Sequence, residues 1–165
     1  MNRCIIAAAI IAAASLPFSI SVVADEQEPR GKVLATEYFA AMDTNGDQHL
    51  SVSEYIQQKK QEFVSMDADD NRILSWDEFK SFSFGMETIA QEKRRMAGYK
   101  VARRILFDLM DRDNNWWLTE LEQENGFIRD HMLADENDDG LLSESEFLWN
   151  SMYSITLRSA LGKGL

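Results

Sequence analysis

Four times between residues 43 and 146 the chain repeats one twelve-residue pattern: DTNGDQHLSVSE (43–54), DADDNRILSWDE (67–78), DRDNNWWLTELE (111–122) and DENDDGLLSESE (135–146). Each run opens on Asp, carries Asp or Asn at its third and fifth positions, Ser or Thr at its ninth and Glu at its twelfth. Phe-x-x-Met precedes the first three runs, starting at Phe39, Phe63 and Phe107, and Ala134 stands in place of Met before the fourth. An internal repeat is the strongest constraint on architecture, because each copy must fold as the same local unit. The opening Asp residues are spaced by 24, 44 and 24 positions, which makes two similar halves around a longer connector. Four such runs in tandem, each with matching flanks, are not a product of acidic composition alone.

In these residues, over roughly 33–155, the chain resembles the EF-hand superfamily, the calmodulin-like proteins. The resemblance implies an all-α fold: four EF-hand helix–loop–helix units in one compact bundle. It also implies Ca²⁺, a hard cation that takes six to eight oxygens at about 2.3–2.6 Å. The side chains at positions 1, 3 and 5 would be ligands: Asp43, Asn45 and Asp47; Asp67, Asp69 and Asn71; Asp111, Asp113 and Asn115; Asp135, Asn137 and Asp139. Position 7 would offer a backbone carbonyl, from His49, Ile73, Trp117 and Leu141, so its side chain is unconstrained. Ser51, Ser75, Thr119 and Ser143 at position 9 would act through water, and Glu54, Glu78, Glu122 and Glu146 at position 12 would bind with both oxygens.

Up to four Ca²⁺ follow from this, with Mg²⁺ or a lanthanide as alternatives. The short stretch between runs is similar to periplasmic bacterial EF-hand proteins and, in architecture, to the lanthanide-binding lanmodulins. Pro at position 2 and Asp at position 9 mark that lanthanide group. This chain has Thr44, Ala68, Arg112 and Glu136 at position 2, and hydroxyls at position 9. Three carboxylates and one Asn per run suit a divalent ion better than a trivalent one. Position 6 normally turns with φ > 0 and takes Gly. Only Gly140 satisfies this; Gln48, Arg72 and Trp116 hold the place elsewhere. Each should cost roughly 1–2 kcal/mol.

The lengths between runs predict which of them meet. Residues 55–66 and 123–134 are too few for two helices and a turn, but each makes one helix about 18 Å long. Runs 1 and 2 therefore sit at opposite ends of one helix, and runs 3 and 4 at opposite ends of another, although Asn125-Gly126 is a point where the second would kink or end. The connector 79–110 has room for two helices, with Gly85 or Gly98 at the bend. Run 2 is then expected to pair with run 3, through Leu74 and Leu118, and run 1 with run 4, through Leu50 and Leu142. Before run 1 the apolar stripe is read as Val33, Leu34, Tyr38, Phe39 and Met42, and before run 3 as Val101, Ile105, Leu106, Leu109 and Met110. Phe79, Phe82, Phe147 and Leu148 begin the stripes after runs 2 and 4. Trp116-Trp117 is read as packing one ring on a neighbouring loop or the core, or else as a partner-facing pair.

Upstream, Arg3 precedes an apolar, Ala-rich run from Cys4 to Leu16, and Val22-Val23-Ala24 forms a small-residue cleavage signal before Asp25. Pro17 and the Ser15, Ser19 and Ser21 hydroxyls make this short for a membrane span. The reading is a signal peptide over 1–24, a flexible mature N-terminus over 25–32, the four-unit domain over 33–158 and a frayed C-terminus over 159–165. Export to the periplasm or outside the cell follows, and Cys4 is lost with the signal, so no disulfide supports the fold.

The net charge of −11 excludes nucleic acid as a main partner, and no membrane association is expected after cleavage. His49 and His131 belong to no zinc motif. No nucleophile motif, phosphate-cradling Gly-rich loop or acid/base pair in an apolar setting occurs, so the chain reads as no enzyme. A protein partner has two candidate surfaces: a Met/aromatic one, with Met86, Met96, Met132 and Met152, and the basic connector 93–104. The connector is read first as a solvated helix face between the halves, and otherwise as a grip on an acidic partner or a strap over the acidic loops. Sensor, buffer, Ca²⁺-stabilised adaptor and regulatory subunit of an exported enzyme all remain open at this level.

Overall fold

The structure, a computed structural model, describes residues 30–162 except residue 84. The signal peptide expected over 1–24, with its cleavage site, therefore lies outside the described residues. The chain is mainly helical, with eight helices and two small two-stranded sheets among the described residues. In order these are α1 (Arg30–Met42), β1 (His49–Ser51), α2 (Val52–Met66), β2 (Ile73–Ser75), α3 (Trp76–Ser81), α4 (Met86–Glu92), α5 (Met96–Met110), β3 (Trp117–Thr119), α6 (Glu120–Ala134), β4 (Leu141–Ser143), α7 (Glu144–Asn150) and α8 (Met152–Leu161). None is long and apolar enough to cross a membrane.

The last four residues of every repeat read Ser/Thr-x-x-Glu, which is a capping box. Ser51, Ser75, Thr119 and Ser143 each accept the N–H of the Glu three residues on, and that Glu reaches back to the cap's own N–H. Each cap is worth about 1 kcal/mol of helix stability. The first residue of each repeat closes the helix before it: Asp43, Asp67, Asp111 and Asp135 donate their N–H to Phe39, Phe63, Phe107 and His131. One twelve-residue run thus ends one helix, makes a turn and starts the next.

Pairing follows the expectation from length. α2 and α6 are each unbroken over 15 residues. β1 pairs antiparallel with β4, Leu50 opposite Leu142, and β2 with β3, Leu74 opposite Leu118. All four Leu side chains are fully buried, each contributing about 1.5–3 kcal/mol. They join one core with Phe39, Tyr55, Phe63, Phe79, Phe107 and Phe147.

Several details differ from the sequence reading. Gly126 neither kinks nor ends α6; it is buried where a Cβ would stand 2.6 Å from Met110 Cγ, so its role is close approach of α6 to α5. The connector holds three helices, not two, bending at Gly85 (φ 76°) and at Arg94 (φ 54°), while Gly98 lies inside α5. The buried face of α5 is Tyr99, Ala102, Arg103, Leu106, Phe107 and Met110; Val101, Ile105 and Leu109 are exposed, as is Val33 on α1. The apolar count drew the stripe one position off, because it discounted Arg103. α1 begins at Arg30, paired with Glu92 at 2.6 Å, inside the segment expected to be flexible. At the other end α8 continues to Leu161, which is buried in a second cluster with Met86, Ile89, Ala90 and Tyr99. The chain is therefore not frayed from 159; an apolar anchor holds it to 161.

Candidate metal sites

The four runs share one hydrogen-bond plan. At position 1, Asp43, Asp67, Asp111 and Asp135 accept on Oδ1 from the N–H of position 5 and on Oδ2 from that of position 6. At position 3, Asn45, Asp69, Asp113 and Asn137 accept from the N–H of position 5. At position 5, Asp47, Asn71, Asn115 and Asp139 accept from the N–H of position 7, in His49, Ile73, Trp117 and Leu141. Short Asp and Asn side chains bonding their own backbone two residues on is what turns the chain here. Most of these oxygens keep a further lone pair, Asp43 Oδ1 being taken up by both Gly46 and Asp47 N–H.

Glu at position 12 clasps the two ends of its run. Oε1 accepts from the N–H of position 2, in Thr44, Ala68, Arg112 and Glu136. Oε2 accepts from the N–H and hydroxyl of position 9. In the first run the Asn45 N–H at 3.3 Å and the Thr44 hydroxyl at 3.0 Å add two further donors to Oε1. The four glutamates are all held below the ordinary carboxylate range. For Glu78 and Glu146 the Ser75 and Ser143 hydrogen bonds lead; for Glu54 and Glu122 burial pushes upward, but the bonds from Ser51 and Thr119 outweigh it. The carboxylates are thus kept ionised, which a cation site requires.

Asp67, Asp69 and Glu78 each bring one oxygen within 4.8 Å of the others, and so do Asp111, Asp113 and Glu122. Two oxygens on opposite sides of one ion at about 2.4 Å stand about 4.8 Å apart, so each trio can touch one cation. Runs 1 and 4 have Asn at position 3 and Asp at position 5, the reverse of runs 2 and 3. The sheets join like with like: run 1 with run 4, and run 2 with run 3.

The position-6 turns are as expected: Gln48, Arg72, Trp116 and Gly140 have φ of 65, 64, 72 and 82°. Position 4 is also left-handed, in Gly46, Asp70, Asn114 and Asp138, the residue types that enter that region most readily. The tryptophans are corrected: Trp116 and Trp117 are both exposed, and Trp116 lies under the Arg104 guanidinium at 4.1 Å rather than in the core. The basic connector is not one face either. Arg103 is buried over the Phe79 ring and donates to the Phe79 carbonyl, while Arg104 pairs with Asp108.

Three polar groups around the sites escaped the sequence reading. His131 is buried on α6 and its Nε2 stands 2.9 Å from the Leu50 carbonyl; a carbonyl only accepts, so Nε2 carries the proton. Asp130, beside it, accepts from the Tyr55 hydroxyl at 2.8 Å, and burial raises its pKa. Lys59 is buried at mid-α2 with Glu62 at 3.2 Å and the Tyr38 hydroxyl, among the rings of Tyr38, Tyr55, Phe127 and Tyr153. The signal for Lys59 was its position three residues after Ile56 and four before Phe63, on the core face. Compared with family models, with curated proteins and with solved structures, the chain matches none.

Proposed function

We propose that this chain is an exported Ca²⁺-binding protein of the EF-hand type, with one ion held in each of its four repeats. One observation carries the reading: the same plan of oxygen acceptors, from position 1 through position 12, recurs in all four runs. Three carboxylates per site suit a divalent ion, and the absence of Pro at position 2 argues against a lanthanide speciality. No part of the reading calls for catalysis. Calcium would be held by Asp43, Asn45, Asp47 and Glu54 in the first run and by the matching residues in the others, with hard-cation coordination as its chemistry.

A second role is suggested by single apolar side chains left uncovered. Val64 on α2, Leu121 at the start of α6 and Met132 and Leu133 at its end are each more than 60% exposed, side chains that a protein partner would cover. The protein would then serve as a Ca²⁺-stabilised adaptor rather than a plain buffer.

Trp117, at position 7 of the third run, supplies the test. Terbium takes calcium sites and emits when a nearby indole is excited. Terbium emission is expected to rise on binding, to fall on Trp117→Phe and to be displaced by excess Ca²⁺. Emission that Ca²⁺ cannot displace would contradict the proposal.

A further inference from the structure

Between α1, α4, α7 and α8 lies a cavity of about 270 Å³, none of whose lining residues belongs to the four repeats. For scale, an apolar cavity of about 150 Å³ is enough to bind benzene. Leu34, Met86, Phe147 and Leu148 line it together with the rings of Tyr38 and Tyr153. At its edge Ser154 and Arg158 stand one turn apart on α8. Arg158 donates to the Trp149 carbonyl at 2.7 Å and lies over the Trp149 ring at 4.4 Å; among the described residues no carboxylate pairs with it. The guanidinium is thus held in place from one side, with further N–H donors to spare. Partial burial draws its pKa below the ordinary value, a sign that it has lost water without gaining an anion.

We infer that this cavity binds a small anionic amphiphile, an aliphatic monocarboxylate, with its chain among Leu34, Met86, Phe147 and Leu148 and its carboxylate on Arg158. An apolar pocket with a few placed polar groups is the usual form of a small-molecule site, and Arg pairs with carboxylate through two parallel hydrogen bonds. The inference is independent of the calcium reading, since neither the cavity nor Arg158 belongs to a repeat.

The test is calorimetric titration of the full chain, in calcium-containing buffer, with octanoate, 1-octanol and octylammonium. Octanoate is expected to bind once per chain and more tightly than octanol, and octylammonium not to bind. Arg158→Gln should weaken octanoate about tenfold and leave octanol unchanged. Ala35→Phe, which fills the cavity, should abolish both; Leu148→Trp is the second filling variant if the first loses its helical circular dichroism. Equal affinity for octanoate and octylammonium, or octanoate binding that survives a folded filling variant, would overturn the inference. So would a cavity that takes an apolar peptide and not octanoate.

Discussion

At position 6 of each repeat the backbone turns with φ between 64 and 82°, and only the fourth repeat supplies glycine. A Cβ at Gly140 would meet nothing within 4 Å, so Gly140→Ala carries a purely conformational cost of about 1–2 kcal/mol. Gln48→Gly, the reverse change, should gain about 0.5–1 kcal/mol, since glycine loses more entropy on folding and returns part of the relief. Both are read as stability at saturating Ca²⁺, which contains the strain whether the turn forms on folding or on binding. Equal melting of the two variants would refute the argument. The glutamates at position 12 make a second prediction, in pH. Their folded-state pKa values lie below the unfolded value of about 4.3. Their contribution is therefore complete above that pH and is lost as pH falls through the folded values. Asp130 runs the other way: raised by burial, its contribution is present below about 3.9 and is lost as pH rises through its folded value. In EGTA, acid unfolding of Glu78→Gln should accordingly show a shallower pH slope than the parent, and an identical slope would contradict this. The left-handed turn at position 6 was legible residue by residue because the repeat is local. For Lys59 only the core-face position was, not its partner Tyr38; Arg103 and His131 were not, since a buried cation or imidazole becomes intelligible only through partners distant in sequence.

Between residue and fold, length was the informative quantity. Twelve residues between two turns admit one helix and no return, and α2 and α6 are the result. Burial on α5 was less legible, because Arg103 occupies a core-face position and spends its charge on the Phe79 ring and carbonyl. Gly126 misled for a related reason: glycine weakens a helix by about 1 kcal/mol relative to Ala, yet here it lets α6 close on Met110. Gly126→Ala gains that propensity but places Cβ 2.6 Å from Met110 Cγ, a side chain that is itself buried. Overpacking costs about 1–3 kcal/mol, so a net loss of about 1 kcal/mol is expected by thermal denaturation in EGTA. A stabilised variant would show that α5 and α6 are not in close contact.

Across the whole molecule the elements close a ring. α2 joins the first repeat to the second, the β2–β3 ladder joins the second to the third, α6 joins the third to the fourth, and β1–β4 returns to the first. Asp130 and Gln123 on α6 tie across to Tyr55 and the Lys59 carbonyl of α2, and His131 to Leu50 of β1, so α6 is bonded along its length to α2 and to the strand before it. Twelve carboxylates stand at positions 1, 3, 5 and 12 of the repeats, three in each, and they repel one another. A ligand that binds only the folded chain stabilises it by about 2.7 kcal/mol per site at a hundredfold excess over Kd. The most direct test is calorimetric titration of residues 25–165 with Ca²⁺, beside a variant carrying Glu→Gln at 54, 78, 122 and 146. Four ions per chain, a melting temperature many degrees higher in Ca²⁺ than in EGTA, and loss of both in the quadruple variant are the predicted results. No Ca²⁺ heat, with the same melting temperature in Ca²⁺ and in EGTA, would contradict the account.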